Sequence, residues 1–448
     1  MIIAGSAEDT NLNGTETIIT FTSMPPLRAI ERQRAIYTEG LSGQRPRIPF
    51  HAQTLRDQAK QKMSANAWAY IDGGAGNEET IGRNSSAFSE LAIRPHMMRP
   101  NDSADFSTSL LGLNLSFPIL LAPIGALDLI CPHADRIVAR ACRDTGTPFI
   151  FSNQAGTPME VCAGDMGNTP RWFQLYWSRS DELVLSMVRR AEACGCSAIV
   201  LTVDTTLLGW RSRDLSLAYL PFLRGMGIAQ YTSDPVFLDL LKKGAGQPQP
   251  GTPRPTVNLT TIANLLRLKS RYPGGFWKNL RSPEPLAAVR LFTAIYSNPA
   301  LSWEKISWLR AQTRLPILIK GILRADDARQ AVASGASGII VSNHGGRQVD
   351  GASSSIGVLK EIRSALPKPF PILLDSGIRS GGDCFKAIAL GADAVLLGRP
   401  YAYGLAIARQ QGVRDVILNL LGDFELTARL AGCRNVAEID EDMIITNH

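Results

Sequence analysis

A histidine and an arginine stand three residues apart in Val341-Ser342-Asn343-His344-Gly345-Gly346-Arg347-Gln348, directly after the apolar run Gly338-Ile339-Ile340-Val341. Imidazole titrates near neutral pH, so His344 can act as a general base, and the planar guanidinium of Arg347 can grip a carboxylate through paired donors. Together they suit an anionic substrate that carries a removable proton. The plainer reading makes His344 a turn residue and Arg347 half of a surface ion pair.

Where the other polar residues fall depends on the elements that carry them. Short apolar runs at 119–123, 148–152, 172–176, 198–204, 316–321, 338–343, 371–375 and 394–399 each stop at a polar residue or a glycine turn. Between them, 135–145, 181–193, 325–334, 356–366 and 382–390 carry apolar residues at helical spacing. This alternation predicts an α/β fold, a (β/α)₈ TIM barrel whose active site lies at the C-terminal ends of its strands.

The spacing of Leu55, Ala59, Met63, Ala67 and Tyr70 predicts a single amphipathic helix over 55–70 as an N-terminal helical extension. It runs into the turn Gly73-Gly74-Ala75-Gly76, which alone says little. One gap, about 214–301, breaks the rhythm. Its Gly/Pro-rich centre at 244–255 is expected to be partly disordered or to form a lid, which makes 215–300 a long lid insertion after the fourth strand. Residues 1–30, rich in Ser, Thr, Asn and Gly, read as a flexible tail, and 31–448 as one barrel domain. After Tyr401 the chain is expected to close the last helix and add another over 413–430.

Collecting the polar residues where the runs stop gives Ser152 and Asn153, Gln174 and Tyr176, Thr202 and Asp204, Lys320, Ser342 and His344, Asp375, Arg379 and Arg399. In a barrel they converge on one mouth. Asp375-Ser376-Gly377-Ile378-Arg379 and Gly398-Arg399-Pro400 end the last two strands, where glycine backbone and arginines can cradle a phosphate. The alternative is two tight turns with exposed arginines. Lys320 could form a Schiff base, pair with a phosphate, or stabilise the anion formed on reducing an electron-accepting ring. Asp204 is either the carboxylate that orients His344 or a loop aspartate.

Composition narrows the partners. Net charge is +7, without a run of Lys/Arg or interleaved aromatics for nucleic acid, so small anions are the better match. A solvated basic surface is the alternative. Seven cysteines, odd in number and without a framework, favour reduced thiols in an intracellular protein. Cys194-Gly-Cys196 lacks zinc-site spacing, so no metal is expected. The longest apolar stretch, 117–130, contains Pro123, Gly125 and Asp128 and is too short to cross a membrane. With no export signal and no standard peroxisomal tripeptide, the expected location is cytoplasmic, and the sequons at Asn13 and Asn258 carry little weight.

The motif Ser-Asn-His-Gly-Gly-Arg-Gln at 342–348 resembles that of the FMN-dependent 2-hydroxy acid oxidases and dehydrogenases, and the resemblance extends over roughly 55–439. Within that family the chain is most similar to the lactate 2-monooxygenases. The shared stretches are Gly209-Trp210-Arg211-Ser212-Arg213-Asp214, Pro221-Phe222-Leu223-Arg224-Gly225, Asp234-Pro235-Val236-Phe237 and Asp375-Ser376-Gly377-Ile378-Arg379.

The resemblance implies FMN as cofactor, a small 2-hydroxy acid and molecular oxygen as reactants, and a homotetramer. It makes His344 the base, with Asp204 beside it, Arg211 and Arg347 the carboxylate clamps, and Tyr70 and Tyr176 their hydrogen-bonding partners. It assigns Lys320 to the flavin N1/O2 edge, Ser152, Gln174 and Thr202 to the ring, and Ser342 and Asp375 to the ribityl chain. Gly377, Arg379, Gly398 and Arg399 fall to the phosphate, and Pro123, Ile124 and Gly125 are further cofactor contacts. It also implies oxidation that ends in decarboxylation, or a simple oxidase that releases 2-oxo acid and peroxide. A flavin-using isomerase, or a non-redox barrel enzyme acting on a phosphorylated substrate, is the rival from another class. The chain departs from the pattern at Gln154, Ser376 and Cys131-Pro132-His133-Ala134-Asp135, and Trp177 is expected to crowd the mouth.

Overall fold

In the computed structural model the described residues are 29–248 and 256–446. Eight parallel strands close into a barrel: Ile119–Leu121 (β1), Phe149–Phe151 (β2), Arg171–Leu175 (β3), Ile199–Thr202 (β4), Ile317–Ile322 (β5), Gly338–Val341 (β6), Ile372–Leu374 (β7) and Ala394–Leu397 (β8). The sheet shuts where β8 pairs with β1, Val395 opposite Ile119. The strands read as unbroken apolar runs because both of their faces are buried. In β1, Leu120 points into the barrel while Ile119 and Leu121 meet the helices outside. Ile150, Trp172, Val200, Leu318, Ile340, Leu373 and Leu396 fill the interior with Leu120. The barrel is therefore a packed core, and chemistry is confined to its rim.

A hairpin that the sequence reading missed, Thr108–Leu110 with Leu113–Leu115, closes the other end. Its two-residue turn places Leu111 and Gly112 at φ 51° and 79°, as a tight hairpin turn requires. Leu110 and Leu115 join the interior cluster and plug the floor.

Several expectations change. The single helix over 55–70 is two, Ala52–Lys62 and Ala65–Asp72. Ser64 breaks it by accepting the Ala67 N–H as an N-cap, a local bond that apolar spacing does not reveal. Ala29–Gly40 is helical, so the helical extension starts inside the expected tail; residues 1–28, with the Asn13 sequon, lie outside the described residues. The second sequon's Asn258 accepts the Thr261 N–H as a helix cap. The expectation of two helices after β8 holds: Arg399–Leu430 is two helices joined across a kink at Ala408 and Arg409, the latter at φ 51°. Met159–Met166 is a helix that was not anticipated.

Between β4 and β5 the chain is mostly helical, including Pro235–Lys242, Leu259–Arg271 and Glu284–Ile295. Residues 249–255 of its Gly/Pro-rich centre lie outside the described residues. An aromatic cluster holds the segment together: the Tyr231 ring meets Phe292 edge-on at 4.8 Å, and Phe292 stacks on Tyr296 at 5.0 Å. Phe222 extends this cluster to Tyr70, at 6.3 Å. The Tyr231 hydroxyl donates to Asn153 just past β2 at 2.7 Å. Trp177 does not crowd the mouth. It is buried, donates from Nε1 to Asp181 and packs on Trp308 within the helical layer. No helix among the described residues is long and apolar enough to cross a membrane.

Candidate functional site

After β6 the chain makes three successive left-handed residues, His344, Gly345 and Gly346, at φ 58°, 65° and 74°. Glycine adopts this conformation freely, but for histidine it costs about 1–2 kcal/mol. Four hydrogen bonds hold the turn. The His344 N–H donates to Ser342 Oγ at 3.0 Å, that of Gly345 to Ser376 Oγ at 2.9 Å, and that of Gly346 to Asn343 Oδ1 at 3.1 Å and to the Asn343 carbonyl at 3.0 Å. Asn343 is itself locked by reciprocal amide bonds with Asn84, 2.8 and 2.7 Å, which tie the turn to the helix Glu79–Ser89. The Gly73–Gly76 turn lies directly against it, with the Ala75 N–H on the Gly346 carbonyl at 2.9 Å. A Cβ on Gly74 would come 2.8 Å from that same carbonyl.

This turn brings His344 Nδ1 to 2.8 Å from Asp204 Oδ1, and both side chains are largely buried. The carboxylate accepts the Nδ1 proton and so leaves Nε2 with its lone pair free, the tautomer a general base needs. Burial lowers the His344 pKa, and the attraction of Asp204 only partly offsets it. Burial would raise Asp204, but His344 and then Lys320 outweigh it and hold the carboxyl below its usual range.

Along the rim, Ser152 Oγ donates to Gln174 Oε1 at 3.2 Å and Gln174 Nε2 to Thr202 Oγ1 at 3.1 Å, across β2, β3 and β4. Next in line, Lys320 Nζ lies 2.7 Å from Asp375 Oδ2 and 2.9 Å from Ser342 Oγ, which itself donates to Asp375 at 2.6 Å. Burial would raise Asp375, yet Lys320 and Ser342 keep its pKa low. Neighbouring strands are about 4.8 Å apart, so this row of buried polar groups matches the polar edge of a flat ring. Pro123, Ile124 and Gly125 follow β1 and adjoin Gln154; a Cβ on Gly125 would stand 3.1 Å from Gln154 Cβ.

On the other side of His344, two guanidiniums share one ring: Arg347 Cζ lies 4.9 Å and Arg211 Cζ 5.6 Å from the centroid of Tyr70. Arg347 donates through Nη1 to the carbonyls of Tyr70 and Gly73. Burial and then the charge of Arg211 push its pKa down to about 9, so it stays charged at neutral pH. Arg211 is buried with Nε and Nη1 unpartnered. Tyr176 is buried in the same space, its pKa raised by burial and then by Asp204 and Tyr70. An unpartnered buried cation beside a free imidazole nitrogen is a seat for a carboxylate.

At the ends of β7 and β8, Gly377 sits at φ 97°, and its missing Cβ would strike the Asn84 carbonyl at 2.8 Å. Arg379 donates to the carbonyls of Gly377 and Ser85. Gly398 precedes the helix that starts at Arg399, whose positive N-terminal end favours an anion. The Arg399 guanidinium is otherwise engaged: it holds the carbonyls of Ile71, Gly73 and Gly345 at 3.1, 2.9 and 2.8 Å. It ties the N-terminal turn to the His344 turn.

Sequence reasoning overlooked Asn84, the Asn343 amide and the ion pairs of Asp72 with Arg56 and Arg213, at 2.7 and 2.8 Å. Apart from Arg56 and Asp72 their partners are far apart in the chain, and only the Gly-rich turn offered a signal.

The family model described as FMN-dependent dehydrogenase matches residues 59–446. The chain is 35% identical to an FMN-dependent alpha-hydroxy acid dehydrogenase of Penicillium citrinum, over 94% of this chain and 96% of that protein. It is also 35% identical to an L-lactate oxidase of Lysinibacillus sphaericus, over 91% and 96%. Among solved structures, a mandelate oxidase with (S)-4-hydroxymandelic acid superimposes with a TM-score of 0.72 at 32% identity, covering 88% of this chain and 98% of that one. The chain belongs to the FMN-dependent dehydrogenase family; it is an FMN-dependent 2-hydroxy acid oxidoreductase.

Proposed function

We propose that this FMN-dependent enzyme oxidises a small, lactate-like 2-hydroxy acid with oxygen, and that the 2-oxo acid and peroxide then react in place. The first step is R–CHOH–COOH + O₂ → R–CO–COOH + H₂O₂. The second, R–CO–COOH + H₂O₂ → R–COOH + CO₂ + H₂O, gives an acid one carbon shorter. The observation that carries the first step is the free Nε2 of His344, fixed by Asp204, next to the unpartnered guanidinium of Arg211.

In this reading Arg211 and Arg347 hold the carboxylate, Tyr70 and Tyr176 bond to the substrate's oxygens, and His344 Nε2 takes the hydroxyl proton. Asp204 stabilises the imidazolium that results. FMN, when bound, accepts the hydride equivalent from the alcohol carbon and returns the electrons to oxygen. Ser152, Gln174, Thr202 and Lys320 would hold its ring edge, with Pro123, Ile124 and Gly125 alongside. Ser342 and Asp375 would take the ribityl hydroxyls, and Gly377, Arg379, Gly398 and the main-chain N–H of Arg399 the phosphate.

The second step is supported by the helical segment between β4 and β5, packed through Phe222 against Tyr70, as a lid that slows product release. A simple oxidase, which the similarity to an L-lactate oxidase favours, would release the peroxide instead. Exposed apolar residues on this segment, Leu259, Ile262, Leu265 and Trp277, support self-association as a tetramer, which light scattering tests. Seven free cysteines support a reducing compartment, the cytoplasm.

The deciding experiment titrates the purified yellow protein anaerobically with a panel of 2-hydroxy acids, L-lactate first. Bleaching by one acid, lost in His344→Ala, is expected. Air is then admitted and CO₂ is assayed against peroxide: CO₂ with little peroxide supports the coupled reaction, and stoichiometric peroxide refutes it.

A further inference from the structure

The carboxylate clamp contains a carboxylate of its own. Asp214 lies three residues after Arg211, in the short helix Ser212–Ser216, and is 7% exposed. Neither of its oxygens has a hydrogen-bond partner. The charged groups that act on it are Arg347, Arg211 and Arg213. Arg213 is already committed to Asp72 and Glu78, and Arg347 to two main-chain carbonyls, while Arg211 keeps two buried nitrogens unpartnered. Its main-chain carbonyl accepts the Tyr219 N–H, just past the helix. His344, paired with Asp204, is the other titrating base of the site.

A buried carboxylate with no hydrogen bond, three residues from a buried arginine with two unpartnered nitrogens and within reach of its charge, is costly for structure alone, and such arrangements concentrate at functional sites. We propose that Asp214 is an internal counter-ion that competes with the substrate carboxylate for Arg211 and Arg347, and so sets how tightly the site holds an anion. The inference rests on the reading of those two arginines as the carboxylate clamp.

Its consequence follows from charge. Ionised Asp214 cancels one of the two clamp charges and repels an incoming carboxylate; with a proton on Asp214, both guanidiniums act on the ligand alone. Burial raises its pKa in spite of the three arginines, which brings this exchange closer to neutral pH than for an exposed aspartate. Carboxylate binding is therefore coupled to proton uptake.

The test uses the FMN-loaded enzyme and acetate, a carboxylate with no hydroxyl hydrogen to lose, read by perturbation of the flavin spectrum between about pH 5.5 and 7.5, where acetate stays ionised and Arg347 stays charged. All variants carry His344→Gln to remove the imidazole's own titration. In this background the acetate Kd is expected to rise on the order of tenfold as pH rises through the Asp214 transition. Asp214→Asn should flatten the profile and, at the alkaline end, bind acetate more tightly than its parent by the same factor. Asp214→Ser should do likewise, and a gain in affinity cannot come from a poorly folded variant. If both variants bind acetate as weakly as the parent or more weakly at every pH, the inference is overturned and Asp214 merely holds the arginines in place. If acetate leaves the parent's spectrum unchanged at every pH, the clamp itself is misassigned and the inference fails with it.

Discussion

Replacing Asp204 by Asn keeps an acceptor at the position of Oδ1 and removes the charge that faces His344. At the 2.8 Å separation, an imidazolium and a carboxylate attract by about 6 kcal/mol at an effective dielectric of about 20. An amide dipole that keeps the hydrogen bond retains about half of this, which leaves about 3 kcal/mol lost as His344 gains its proton. That corresponds to about a hundredfold in the rate of the proton-abstracting step. The assay is anaerobic stopped-flow bleaching of the flavin at saturating 2-hydroxy acid, across pH. His344 must be neutral to act, so the rate falls as pH drops through its pKa. Burial already holds that pKa below 6.5, and Asp204 is the group pulling it back up. Asp204→Asn should therefore move the acid limb to lower pH as well as slow the plateau. A plateau within about threefold of the parent, or a limb that moves upward, would refute the pairing as a catalytic device.

Lys320→Met leaves Asp375 buried without its cation and should cost about 3–5 kcal/mol in chemical denaturation, with weakened FMN retention. In the parent, the low pKa of Asp375 contributes stability above the ordinary aspartate value of about 3.9, and this is lost as pH falls through the folded value; Lys320→Met should flatten that acid-side slope. Ser376→Gly removes a residue at φ 82°, a strain of about 1 kcal/mol, together with a hydrogen bond of similar worth from the Gly345 N–H. Stability should hardly change, while bleaching slows several-fold as the His344 turn loosens. Gly74→Ala drives a methyl against the Gly346 carbonyl and should reduce bleaching far more than it reduces the denaturation midpoint.

The eight strands could be read from the chain because burial on both faces makes each one an uninterrupted apolar run, and period and length then suffice. The polar residues at their ends were legible for the same reason: a barrel fixes where such residues go. What pairs with what was not legible. Asp204 stood equally well as a loop residue until its 2.8 Å contact with His344 was seen, and Lys320 had three possible roles until Asp375 proved to be its partner. Ser64 shows the same limit locally, since a cap interrupts a helix without disturbing apolar spacing. Asn84, the pairing of Asp72 with Arg213 and the plug formed by Leu110 and Leu115 depend on chain segments brought together only by the closed fold.

The union of the Gly73–Gly76 turn with the His344 turn also has a consequence for synthesis. Asp350 accepts from the Thr80 N–H across 270 positions of chain. At about 5–20 residues per second, a ribosome needs roughly 15 to 50 s to make the second half of that contact after the first has emerged. Until then the Gly73–Gly76 turn and Asn84 have no His344 turn to join, and β1 waits longer still for β8. A nascent or truncated chain that stops before residue 350 cannot assemble a partial, leaky active site. The oxidoreductase site is thus completed only on chains that have been made almost to the end.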